Sequence, residues 1–170
     1  QAFDCCSTVT NVTPLFPREV TYFGYSIFAI CQDLSGSVTL GYGVDAEGNP
    51  KTVSFGYWNS DSRIFGGVNK IGPCVRLGPG VTTVPQGLVQ NANSVTNILI
   101  DGATAMQDLA FQQLGKCDVT FTADMPMMSA TSFLPASDKN YTQRYFTPWQ
   151  GNRKHPAWAA YFGDGTKVRL

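Results

Sequence analysis

Residues 95–122 read VTNILIDGATAMQDLAFQQLGKCDVTFT. Positions 95–100 and 118–122 have the β-branched, alternating character of strands. Between them Thr104 and Gln107 bracket a helix capping-box pattern, and Met106, Leu109, Ala110 and Leu114 then fall on one helical face. Gly115 stands where a helix commonly stops. The passage predicts strand, helix, strand, with the helix over about 104–114.

Outward from this stretch a period of two dominates. Residues 19–31 are apolar on both faces, which suits a central strand. Residues 37–42 place Val38, Leu40 and Tyr42 inward, and residues 52–58 do the same with Val53, Phe55 and Tyr57. Turn formers from Asp45 to Pro50 lie between, so these two segments are expected to form a hairpin. Residues 63–65 and 74–77 are weaker strand candidates, and glycine–proline clusters at 78–80 and 85–87 mark loops. At the C-terminus, Trp158, Ala160 and Phe162 lead through 163–165 into Thr166, Val168 and Leu170 as a second hairpin. The expected architecture is mostly β: an antiparallel β sandwich or barrel with one packed helix, in a single domain over residues 1–170. Cys31, Cys74 and Cys117 recur at intervals of 43 residues, but their flanking segments share too little to indicate an internal repeat.

Composition narrows the setting. Apolar residues make up 43% of the 170-residue chain and charged residues only 14%, against a usual charged share of about 25%. With 3 Trp, 7 Tyr, 11 Phe and a net charge of zero, disorder is excluded. No apolar run approaches the roughly 20 residues of a membrane span, so no membrane insertion is expected. Five cysteines, a start at Gln1 and N-x-Thr acceptors at Asn11 and Asn140 indicate a secreted, extracellular glycoprotein whose leader has been removed. Adjacent cysteines bond poorly to each other. Cys5 and Cys6 are therefore expected to bridge to two of Cys31, Cys74 and Cys117, leaving one thiol that is inert or links copies of the chain.

Catalytic constellations are sparse. His155, the single histidine, lies in a basic polar loop, and no G-x-S-x-G elbow accompanies it. No C-x-x-C pair provides a metal set, and no glycine-rich loop opens a helix to hold a nucleotide, so neither metal nor cofactor is expected. Nucleic-acid binding finds no motif either. Asp45, Glu47 and Asn49 faintly suggest a calcium loop, but they lack its spacing and its closing glutamate. Asp4, Cys5 and Cys6 are similar to the opening of family 45 endoglucanases, small secreted β-barrel enzymes. The resemblance spans three residues, and no His-Phe-Asp acid motif follows it, so no catalytic residue is assigned.

Residues 1–135 hold six basic and ten acidic groups, while 136–170 hold six basic, two acidic and seven aromatic residues. A basic, aromatic quarter on an acidic body has the character of a binding face. Tyr145, Trp149, Arg153 and Trp158 are its candidate contacts, since exposed rings stack on sugars and arginine adds bidentate bonds. The expectation is a non-catalytic protein that binds an extracellular glycan or protein surface. Two alternatives stand beside it: a structural subunit of an extracellular or viral assembly, with residues 7–13 or the odd cysteine joining copies, and a small carboxylate-dependent glycan hydrolase.

Overall fold

The computed structural model describes residues 10–11, 18–57, 64–66, 68, 70–107, 110–111, 117–122, 127–128, 144–147 and 168–169. For 117–118, 127–128, 144–147 and 168–169 it describes the backbone alone. Among the described residues eleven short strands run in chain order: β1 (Tyr22–Phe23), β2 (Gly36–Leu40), β3 (Ser54–Phe55), β4 (Ile71–Leu77), β5 (Thr83–Val84), β6 (Asn97–Ile100), β7 (Ala105–Met106), β8 (Cys117–Phe121), β9 (Met127–Met128), β10 (Arg144–Thr147) and β11 (Val168–Arg169).

Their pairing is the decisive feature. Five strands form a parallel sheet in the order β10-β8-β6-β4-β2, and β11 adds to its β10 edge antiparallel. A second parallel series is β5-β7-β9, and β1 pairs with β3 in parallel. The Val53 amide donates to the Gly80 carbonyl at 2.8 Å, which carries the second series on from β3 toward β5. A third line of bonds joins Phe28 to Ile64, Ile30 to Gly66 and Phe65 to Leu88, at 3.0–3.2 Å. The chain is therefore wound as a three-sided parallel β-coil, each turn resting on the last.

Strand periodicity explains why the turns stack. The inward residues of the first side meet in register: Val38, Val75, Ile98 and Val119 in one row, Leu40, Leu77, Ile100 and Phe121 in the next. All eight are buried. On the second side Phe23 stacks on Phe55 at 5.9 Å, and on the third Phe28 stacks on Phe65 at 5.8 Å with rings 4° from parallel. Each fully buried aliphatic or aromatic side chain in such a column contributes about 1.5–3 kcal/mol of transfer free energy.

Several expectations are corrected here. The sheets are parallel, not an antiparallel sandwich or barrel, and no helix occurs among the described residues. The capping-box residues at the expected start of the 104–114 helix serve the neighbouring turn instead. Thr104 Oγ1 donates to the Thr82 carbonyl at 3.0 Å, and Gln107 Oε1 accepts the Gln86 amide at 2.9 Å. Those local side-chain bonds go to an adjacent coil, so Ala105 and Met106 pair as strand. Residues 19–31 are not one strand. After β1 the chain turns, with φ of 48° at Ser26 and 58° at Ile30, so burial does not follow strand alternation: Phe23, Phe28 and Ala29 are buried while Tyr22 and Ile30 are exposed. The turn at 45–50 forms, with Val44 bridging Pro50 antiparallel, but β2 and β3 diverge to different sides instead of forming a hairpin. The second hairpin, over 158–170, lies outside the described residues except for β11.

The turn itself rests on Asp45. Its Oδ1 accepts the amides of Glu47 at 3.0 Å and Asn49 at 2.8 Å, an Asx-type arrangement that engages the carboxylate locally. The Asn49 amide bond, with the Asn49 side chain and the Glu47 and Gly48 amides, holds the Asp45 carboxyl below the usual aspartate range. A depressed folded-state pKa favours the folded form above the unfolded value, and this is lost as pH falls through the folded one. In an NMR titration the Asp45 carboxyl and the Glu47 and Asn49 amides should share one midpoint below the ordinary aspartate value. A midpoint at or above that value would contradict the turn.

A candidate glycan-binding ledge

Parallel stacking also aligns the outward positions. On the first side Thr39, Arg76, Leu99 and Thr120 come into register across successive turns, about 4.8 Å apart, as do Cys74 and Asn97. Just beyond the strand ends the chain passes through Tyr42, Gly78, Asp101 and Thr122. The last two are fastened in register: the Thr122 amide donates to the Ile100 carbonyl at 3.1 Å, and Thr122 Oγ1 donates to Asp101 Oδ1 at 2.6 Å.

The Tyr42 ring lies close to Gly78, where an added Cβ would come 2.7 Å from the tyrosine Cδ2 and 2.5 Å from the Gly41 carbonyl oxygen. The Arg76 guanidinium sits 5.9 Å above the Tyr42 ring centroid, within cation–π range. Arg76 forms no ion pair with a carboxylate among the described residues, whereas exposed Lys70 meets Asp33 at 2.7 Å and Lys51 meets Glu19. The Tyr42 hydroxyl is shut off from solvent with no hydrogen-bond partner among the described residues. Burial raises its pKa, the Asp101 carboxylate adds to the rise, and Arg76 opposes it, so the phenol stays protonated at neutral pH. Burial likewise raises the Cys74 thiol, against an opposing pull from Arg76, which leaves it a poor nucleophile.

The ledge thus joins a seated guanidinium, a carboxylate held by a hydroxyl, and a ring along a flat polar strip. Such groups hydrogen-bond sugar hydroxyls and pair with an acidic substituent. Among the described residues no group of three or more His, Cys, Asp or Glu is placed to hold a metal ion. Among the carboxylates, Glu19 and Asp33 are paired with lysines, Asp45 closes its turn, and Asp101 accepts from Thr122. Glu47 is exposed in the turn. Asp118 is described by its backbone alone, and Asp4 and Asp124 lie outside the described residues. No helix among the described residues is long and apolar enough to cross a membrane.

The sequence-predicted contacts fare unevenly. Tyr145 lies in β10, where its Cα is in register with Asp118, itself paired to Asn97 and through it to Cys74. Trp149, Arg153, Trp158, His155 and Asn140 lie outside the described residues. Asn11 is exposed, and its backbone bridges Ser35 within the same chain, at the start of β2. The expected disulfides are corrected as far as the described residues go: among them no cysteine pair stands at bridging distance. Cys31 is buried in the core and Cys74 is half-buried on the outer face. Cys117 is in β8, and Cys5 and Cys6 lie outside the described residues.

The ledge escaped the sequence reading, which expected Tyr42 to point inward and gave Arg76 no role. One signal was present: a glycine follows the strand end in Leu40-Gly41, Leu77-Gly78 and Ile100-Asp101-Gly102, marking a corner that recurs on three successive turns. No known protein family, curated protein or solved structure matches this chain.

Proposed function

We propose that the chain is a secreted, non-catalytic protein that binds an extracellular glycan along the outer face of β2, β4 and β6. The observation that carries this reading is Arg76, seated on Tyr42 without a carboxylate partner among the described residues, with the Asp101–Thr122 pair one turn away. A strip with outward positions about every 4.8 Å suits an extended polymer better than a compact ligand. A guanidinium with no carboxylate partner among the described residues favours a polymer bearing carboxylates. The extracellular setting rests on the composition and on the exposed acceptor Asn11.

Affinity electrophoresis through polygalacturonate or alginate tests this. The wild-type chain is retarded, and Arg76→Gln loses about 1.5–3 kcal/mol of binding, which is roughly tenfold or more in affinity. Tyr42→Phe keeps the ring under Arg76 and leaves affinity within about twofold. It also removes a buried hydroxyl that has no hydrogen-bond partner among the described residues, so stability is unchanged or rises by up to about 1 kcal/mol. Equal retardation of wild type and Arg76→Gln would refute the assignment.

A further inference from the structure

A second cluster lies on the second side of the coil, away from Arg76. Tyr22 and Tyr57 are among the exposed large side chains, at 64% and 45%. They come from successive turns. β1 pairs with β3 with Tyr22 opposite Ser54, and the Gly56 amide donates to the Phe23 carbonyl at 2.7 Å. A Cβ on Gly56 would fall 2.9 Å from the Tyr22 hydroxyl. The Tyr22 side chain therefore crosses to the next turn and ends beside the residue that precedes Tyr57. Glycine at 56 is what lets it lie there.

Among the described residues, the setting of Tyr57 is neutral. Burial raises its phenol pKa and the Gln107 side chain opposes the rise, with no charged group among the described residues acting on it. Gln107 is itself held in place, because its Oε1 accepts the Gln86 amide at 2.9 Å. The cluster therefore combines two exposed rings with a fixed amide. This differs from the ledge, which has a cation and a carboxylate. Ring faces stack against the C–H faces of pyranoses, and an oriented amide hydrogen-bonds their hydroxyls.

We propose that Tyr22, Tyr57 and Gln107 form a separate subsite for a neutral hexopyranose. It stands on its own observations and does not depend on the acidic-glycan reading of Arg76. Two rings on adjacent turns suit consecutive sugars of a chain that runs across the turns.

The test titrates cellohexaose and mannohexaose, both uncharged, into the full chain carrying ring-labelled tyrosine, followed by NMR. Binding should move the Tyr22 and Tyr57 ring signals and leave those of Tyr42 in place. Tyr22→Ala and Tyr57→Ala should each weaken binding about 5–10-fold, the range expected for a lost stacked ring. Tyr22→Phe and Tyr57→Phe keep the rings and should stay within about twofold. Arg76→Gln should leave the neutral-sugar affinity unchanged, which separates this subsite from the ledge. The shift map needs no variant, so it decides even if a substitution unfolds the chain. Shifts that avoid both rings, an absence of binding to both probes, or a double alanine variant that binds like wild type would each overturn the proposal.

Discussion

Replacing Phe65 by alanine lowers the stability of the chain by about 3–5 kcal/mol, the cost of deleting a buried ring and leaving a cavity. Phe65 is fully buried and stacks on Phe28 at 5.8 Å, so it joins the third side of one turn to that of the turn before it. Its amide also donates to the Leu88 carbonyl at 3.2 Å, tying it to the turn that follows. A gap there opens between layers that neighbouring residues cannot refill from solvent. In a domain of this size the melting temperature should fall by about 10 °C. Tyr22→Ala, at an exposed position, provides the control and should shift it little. A Phe65→Ala loss below about 1 kcal/mol in denaturant unfolding would mean that the turns are not stacked through this ring.

Gly78→Ala should damage both the coil and the ledge. The added Cβ would stand 2.5 Å from the Gly41 carbonyl oxygen and 2.7 Å from the Tyr42 ring. The ring could swing aside, but the carbonyl belongs to the adjoining corner. The Gly78 amide donates to the Leu40 carbonyl at 2.8 Å, and the Gly80 amide donates to that same Gly41 oxygen at 2.9 Å. Separating the two corners strains or breaks those bonds, for an expected loss of about 2–3 kcal/mol. A displaced Tyr42 also withdraws the seat of Arg76, so retardation by polygalacturonate should fall along with stability. The Tyr42→Phe chain shows what happens when the seat is kept. If Gly78→Ala lost stability but bound the polymer as wild type does, Arg76 would not need that ring.

How far the molecule was legible from its residues depends on the range of the interaction involved. Alternation correctly marked Val38 and Leu40 as inward, and it marked strands near 97–100 and 117–121, because a pleated strand sends successive side chains to opposite faces whatever its neighbours are. The turn at 45–50 was equally local, since Asp45 bonds the amides two and four residues ahead. Tyr57 broke the pattern: it lies in phase with buried Val53 and Phe55 but past the end of β3, where it is 45% exposed.

The sequence by itself determined the β character of the chain, the inward rows of its strands and the position of the Asp45 turn, because each depends on residues a few positions apart. Tertiary structure alone decided that the strands pair in parallel. A strand's apolar face does not specify which strand will lie beside it. In-register residues Val38, Val75, Ile98, Val119 and Phe146 are separated by 37, 23, 21 and 27 residues, so no constant period announces the coil. The same long-range pairing turned the Thr104 and Gln107 side chains from a helix cap into bonds between turns. It also assembled the ledge, whose Tyr42, Arg76, Asp101 and Thr122 come from four different turns and meet because backbone hydrogen bonds hold those turns in register.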